Sequence, residues 1–270
     1  MWIRWNVSSR ARLLSGGDAI VVSIPKSGRT WLRAFLGAYY SARLGKKMAL
    51  DPERYGDRSV PRVIYTHDLF EHRTKGSSWD RARGKYLVPT AELRRARIIL
   101  LARDPRDAFV SLFVQLTRRT KETPGELKRK TIGDLLRDPA FGIVSMIDVM
   151  NLWLREFSPL PGFSLFRYET LRQAPAENFR TLLTALGETS PQPDAYQHAL
   201  AFSEFGNMKN LEAAGAFESK ILRAGDAHDP ESFKVRRGKI GGYQEYLSEE
   251  EQSYARTAMR TLDARFGYTP

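Results

Sequence analysis

The sequence has no cysteine. That absence excludes disulfides, thiolate metal sites and a cysteine nucleophile. Histidine is sparse: His67, His72, His198 and His228 are the four present, and none stands in an HExxH or similarly tight spacing, so no metal is expected. Gly-Lys-Ser and Gly-Lys-Thr occur nowhere, so the ATP-binding GxxxxGK[ST] loop is missing. No apolar run is long enough to span a bilayer: residues 19–25 are too few, and 141–154 is interrupted by Asp148 and Asn151. The arginine-bearing start, residues 1–12, leads into no apolar segment of signal-peptide length. The expectation is a soluble, cytoplasmic chain without a membrane span.

What is present is a globular composition with a basic surplus. The chain has 270 residues, 42% hydrophobic, 11% aromatic and 27% charged. That suits one α/β domain over residues 1–270 and is too aromatic for a disordered chain. Lys and Arg number 43 against 31 Asp and Glu, a net charge of +12, so the surface field attracts anions. Nucleic acid, anionic headgroups and a small polyanionic cofactor all fit such a field. No RNP, zinc-finger or similar signature is present, so nucleic acid is not the expected partner.

Short β-branched or aliphatic runs at 19–24, 63–66, 97–102 and 163–166 predict four strands. Between them, Trp31, Leu32, Phe35, Leu36, Tyr39, Tyr40 and Leu44 recur at helical spacing, with Gly45 as a stop. Asp104-Pro105 opens a second helix, and Phe179, Leu182, Leu183 and Leu186 trace a third to Gly187. Ser248 and Glu251 form a possible capping box for a last one. Strands alternating with helices predict a mostly parallel central sheet flanked by helices. Residues 68–89 and 212–234 have no sustained period and read as loops, either surface connections or lids.

The sharpest local feature is Pro25-Lys26-Ser27-Gly28-Arg29-Thr30-Trp31, between the first strand and the first helix. A strand feeding a helix through a glycine-bearing turn points backbone N–H groups at one spot, where the helix dipole favours an anion. Lys26 adds a full charge, and Ser27 and Thr30 add hydroxyls. The lysine precedes the glycine, so this is a P-loop-like element of another kind than the ATP-binding one.

With these residues the chain resembles the sulfotransferases that use 3'-phosphoadenosine 5'-phosphosulfate (PAPS). Their 5'-phosphosulfate loop reads PKSGTTW, matched here with Arg29 in place of a threonine. Residues 103–111 resemble the family's 3'-phosphate motif, which implies that Arg103 and Ser111 bind that phosphate. Arg236, Arg237 and Gly238, opening residues 236–241, are similar to the late RKGxxG segment that clamps the same group. His67 follows the second strand, where the family carries its catalytic histidine. Tyr168, Ser203 and Phe205 match adenine-contacting positions. The resemblance runs from about residue 20 to 246. It departs at Tyr65, where many members have a lysine, and at Tyr243, which replaces a tryptophan. The family's short KxxxTVxxxE dimer motif is not found.

The resemblance implies a PAPS-dependent sulfotransferase that releases 3',5'-ADP and acts on the hydroxyl, or an amine, of a small-molecule acceptor. Physical reading of the residues agrees. Arg103 and Arg236, far apart in sequence, could grip one phosphate by charge-assisted bonds. Ser111 lies about two helical turns beyond Arg103, on roughly the same face. Trp31 and Phe205 suit stacking on a purine. His67 is the expected base, with Asp68 as its rival, and Lys26 would neutralise charge on the leaving oxygen. Plainer roles stand beside these: Arg103 could pair with Asp104 or Asp107, and His67 could be a hydrogen-bonded strand-end residue. His72, His198 and His228 are expected on the surface. The alternatives are a nucleotide-dependent small-molecule kinase with an atypical phosphate loop, and a basic nucleic-acid-binding module.

Overall fold

The computed structural model describes residues 4–120, 123–215 and 238–270. Four parallel strands, β1 (Ala19–Val22), β2 (Val63–Thr66), β3 (Arg97–Ala102) and β4 (Phe163–Arg167), form one sheet in the order β2-β1-β3-β4. In register, Ile20 lies between Ile64 and Ile98, and Leu100 lies beside Leu165. All four expected strands form.

Burial on both faces explains why β1 is an unbroken apolar run, with all four residues at 0% exposure. The two-residue period of a strand sends Ile20, Val22, Ile98 and Leu100 into one core with Phe109, Trp153 and Phe157. It sends Val21, Ile99 and Leu101 into another with Leu32, Phe35 and Phe179. Burying each such aliphatic chain contributes roughly 1.5–3 kcal/mol, so a polar substitution at Val21 or Ile99 would break a whole layer.

The helix Arg29–Arg43 places its periodic residues against the second core, where Phe35 stacks on Phe179 at 4.0 Å. The helix Pro105–Val114 is capped by Asp104, whose side chain accepts from the Arg106 N–H. Ser248 and Glu251 do form the capping box of the last helix, Glu249–Met259. The stretch at 141–154 contributes to a buried helix, Ile143–Phe157, with Asp148 on its exposed side. No helix among the described residues is long and apolar enough to cross a membrane.

Residues 68–89 differ from the loop expected. They form the helices Asp68–Thr74 and Ser78–Ala82, the second closed by a Ser77–Asp80 capping box. The period was hidden because Asp68, Glu71 and His72 are buried together with Leu69 and Phe70. His72, at 5% exposure, is therefore not a surface residue, whereas His198 is. His228, Arg236, Arg237 and most of the 212–234 stretch lie outside the described residues.

The chain leaves β1 toward β2 on one side of the sheet and leaves β3 toward β4 on the other. The carboxyl ends of β1 and β3 are thus a topological switch point, the place where open α/β sheets leave a crevice for ligands.

Candidate active site

Each strand delivers one residue at its carboxyl end: Lys26 beyond β1, His67 after β2, Arg103 after β3 and Tyr168 after β4. All four line one cavity of about 660 Å³, within the range of small-molecule sites.

The loop after β1 turns with Lys26 at φ 70° and Gly28 at φ 95°. Left-handed residues in such a turn make successive N–H groups converge on an anion-sized concavity. Arg29, Thr30 and Trp31 then open a helix whose first N–H groups have no intrahelical acceptor. Gly28 is required twice, by its φ and because a Cβ would sit 2.7 Å from Tyr168 Cδ2. Lys26 Nζ donates to Gln115 Oε1 at 3.1 Å, and the Lys26 carbonyl accepts from Arg103 Nη1 at 2.9 Å.

Arg103 lies 4.6 Å over the Tyr168 ring, and it pairs with neither Asp104 nor Asp107. Its Nε is buried with no hydrogen-bond partner among the described residues. That unpaired Nε costs free energy, while Arg103 as a whole lines the cavity, where an anion would be a favourable partner for its guanidinium. Ser111 lines the same cavity from the Pro105–Val114 helix.

At the other end of this half-cavity, Trp31 Nε1 donates to the Ser203 carbonyl at 2.7 Å. Trp31 meets Tyr168 edge-on at 5.9 Å, and Arg172 lies 4.8 Å over Phe205. Gly238 packs so closely on Phe205 that a Cβ would not fit. Ser27 and Ser203 stand back from the cavity. Both are buried, and their hydroxyls donate to the Ile24 and Leu200 carbonyls. Neither lines the cavity; one ties the loop and the other anchors Trp31.

His67 Nδ1 bonds the Ser23 carbonyl at 2.7 Å, which links the ends of β2 and β1. A carbonyl only accepts, so Nδ1 carries the hydrogen and Nε2 keeps its lone pair. Arg29 Nη2 donates to that Nε2. Asp68, the rival base, has 0% exposure and does not line the cavity. Its carboxylate accepts from Arg4 Nη1 at 2.7 and 2.9 Å, from the Val88 N–H at 2.8 Å and from Trp153 Nε1 at 2.9 Å. Asp68 has φ 38°; it and Lys26 are the described non-glycine residues with positive φ. Such backbone costs on the order of 1–3 kcal/mol per residue and persists only where surroundings over-determine it. Here the two residues lie in the loop after β1 and directly beyond His67.

Beyond His67 the wall becomes apolar, with Phe70, Val110, Leu112, Leu116, Leu127 and Phe141. Glu71 stands at its edge, paired with Arg10 at 2.7 Å and Lys75 at 2.9 Å. Sequence reasoning missed Gln115, Arg172 and Asp107. Asp107 accepts the Gly241 and Tyr243 N–H groups and so fastens the segment after Gly238 to the cavity. Burial is the main cause holding its carboxyl above the ordinary value. Gln115 was findable in principle, since it lies one helical turn beyond Ser111.

Fold and site together define an α/β protein with a small-molecule-sized cavity at the carboxyl ends of its parallel strands, bordered by a P-loop-like turn. The particular family follows from comparison. Residues 17–267 match the sulfotransferase domain, and the chain belongs to that family of PAPS-dependent sulfotransferases. It is 24% identical over 247 residues to cytosolic sulfotransferase 17 of Arabidopsis thaliana, covering 86% of this chain and 70% of that protein. With cytosolic sulfotransferase 16 of the same plant it shares 26% over 249 residues, covering 86% and 72%. Among solved structures it resembles mouse sulfotransferase SULT7A1 complexed with PAP, with a TM-score of 0.60 and 18% identity over 96% of this chain and 92% of that one. Retinol dehydratase in a complex with retinol and PAP gives 0.63 and 18%, over 95% and 82%.

Proposed function

We propose that the chain transfers the sulfuryl group of PAPS to a hydroxyl on a small, largely apolar acceptor, with His67 as general base. The observation that carries this reading is one cavity lined by Lys26 and Gly28 of the loop after β1, by Arg103 and Ser111, and by His67 beside an apolar wall. Arg103 and Ser111, with Arg236, Arg237 and Gly238, would hold the 3'-phosphate. The N–H groups of residues 26–31 would hold the 5'-phosphosulfate. Trp31, Tyr168 and Phe205 would enclose the purine, with Ser203 fixing Trp31. PAPS, when bound, supplies a sulfuryl group on a phosphate leaving group.

The rest is done by this chain. His67 takes the acceptor's proton at Nε2, and its Nδ1–H stays on the Ser23 carbonyl, which keeps the ring oriented. Lys26 neutralises charge growing on the departing phosphate oxygen, an interaction stronger in the transition state than before it. The apolar wall excludes water and selects the acceptor. Retinol and androsterone, each bound with PAP in structures of retinol dehydratase, are ligands of that apolar kind. We also read residues 1–270 as one domain and the enzyme as cytoplasmic, in keeping with relatives named cytosolic. The test is calorimetric binding of 3',5'-ADP followed by a screen of apolar phenols and alcohols with labelled PAPS. Turnover with ATP and none with PAPS would return the kinase alternative.

A further inference from the structure

Arg29 has a role that the donor loop alone does not explain. It opens the helix behind the loop, yet its guanidinium reaches past the loop to His67 Nε2. No carboxylate among the described residues is within ion-pair distance of it. Glu71 is engaged by Arg10 and Lys75, Asp68 by Arg4, and Asp51 by Arg33. Burial lowers the Arg29 pKa to about 10, which still leaves it charged at neutrality. It is therefore a cavity cation whose hydrogen bond to His67 goes to a neutral ring, at the junction of the anion loop and the base. That bond also occupies the lone pair that the base needs. An anionic oxygen would be the better partner, since charge-assisted bonds between ions are about twice as strong as neutral ones.

Building on the proposed reaction, we propose that Arg29 is a further catalytic residue. Its guanidinium leaves His67 Nε2 for the sulfuryl oxygens when the donor binds, so one movement clamps the transferring group and frees the base. In the step that follows, the acceptor oxygen forms a bond to sulfur while the bond from sulfur to the bridging phosphate oxygen breaks. The acceptor proton goes to His67 Nε2, and the electron pair of the broken bond stays on the 5'-phosphate of 3',5'-ADP. The base is then armed only after the donor is in place.

The experiment is calorimetry without acceptor, with PAPS and 3',5'-ADP titrated separately into the native chain, Arg29→Gln and Arg29→Lys. The two ligands differ by the sulfuryl group alone. Arg29→Gln is expected to weaken PAPS roughly 10- to 100-fold, the worth of one or two charge-assisted bonds, and to leave 3',5'-ADP within about threefold. Arg29→Lys keeps the charge and should retain part of the preference, and it decides the matter if the glutamine variant does not fold. Equal losses for both ligands, or PAPS affinity unchanged in either variant, overturn the role. A native chain that binds neither ligand instead sinks the sulfotransfer reading as well.

Discussion

Asp68→Asn separates a structural carboxylate from a catalytic one. The side chain is fully buried and receives four hydrogen bonds, two of them from Arg4. Asparagine tolerates left-handed backbone well, so φ 38° is not the obstacle. What changes is the acceptor set: one carboxylate oxygen becomes an NH₂ facing donors, and Arg4 loses an anionic partner. Breaking a buried ion pair costs about 3–5 kcal/mol. Arg4 keeps Glu156, at 2.7 and 3.0 Å, so the lower end, about 3 kcal/mol, applies. In a chain of this size that lowers Tm by roughly 6–12 °C. Thermal unfolding by circular dichroism reads the Tm, and initial rates at saturating PAPS, well below it, read the chemistry. The expected result is a large fall in Tm with kcat within about tenfold of native, a smaller loss than removal of a base gives. An unchanged Tm with abolished turnover would show that the carboxylate takes part in the reaction, and the assignment of His67 would fall.

Three further outcomes follow from the geometry. Arg103→Ala should weaken 3',5'-ADP by about 1.5–3 kcal/mol in calorimetry, because it removes a half-buried cavity cation and the support of the Lys26 carbonyl; unchanged affinity takes Arg103 out of the site. Gly28→Ala should cost about 1–2 kcal/mol in backbone alone and displace Tyr168, so 3',5'-ADP affinity should drop at least about tenfold; native affinity would mean that the loop does not cradle the ligand as described. Burial pushes the His72 imidazole below its ordinary value, so the unfolded chain binds that proton more readily. Stability from His72 is then present above the unfolded pKa and is lost as pH falls through and below about 6.5. The Tm of native protein should fall on acidification more steeply than that of His72→Gln, and parallel profiles would contradict this.

Much of the fold was legible because burial on both faces forces uninterrupted apolar runs, as in residues 19–22, and because Pro25 and Gly28 punctuate the turn that follows. His67 could be read as a strand-end residue, but its tautomer depends on Ser23, and the link from Arg29 is set by how β1 and β2 lie side by side. Gln115 meets Lys26 across 89 positions of sequence, a proximity that no local period encodes. The helices at 68–82 escaped notice for a related reason. Asp68 and Glu71 occupy buried positions because Arg4, Arg10 and Lys75 neutralise them, and a charged residue in the core erases the apolar signature of a helix.

The central claim is that His67 takes the acceptor's proton in sulfuryl transfer from PAPS. The most direct measurement is transfer of labelled sulfuryl from PAPS to an apolar hydroxyl acceptor by native protein and His67→Ala, with 3',5'-ADP affinity taken on the same samples. The account predicts transfer by the native chain, a loss of roughly 10²–10⁴-fold in the variant and affinity within about threefold of native. Transfer by His67→Ala at the native rate would contradict it.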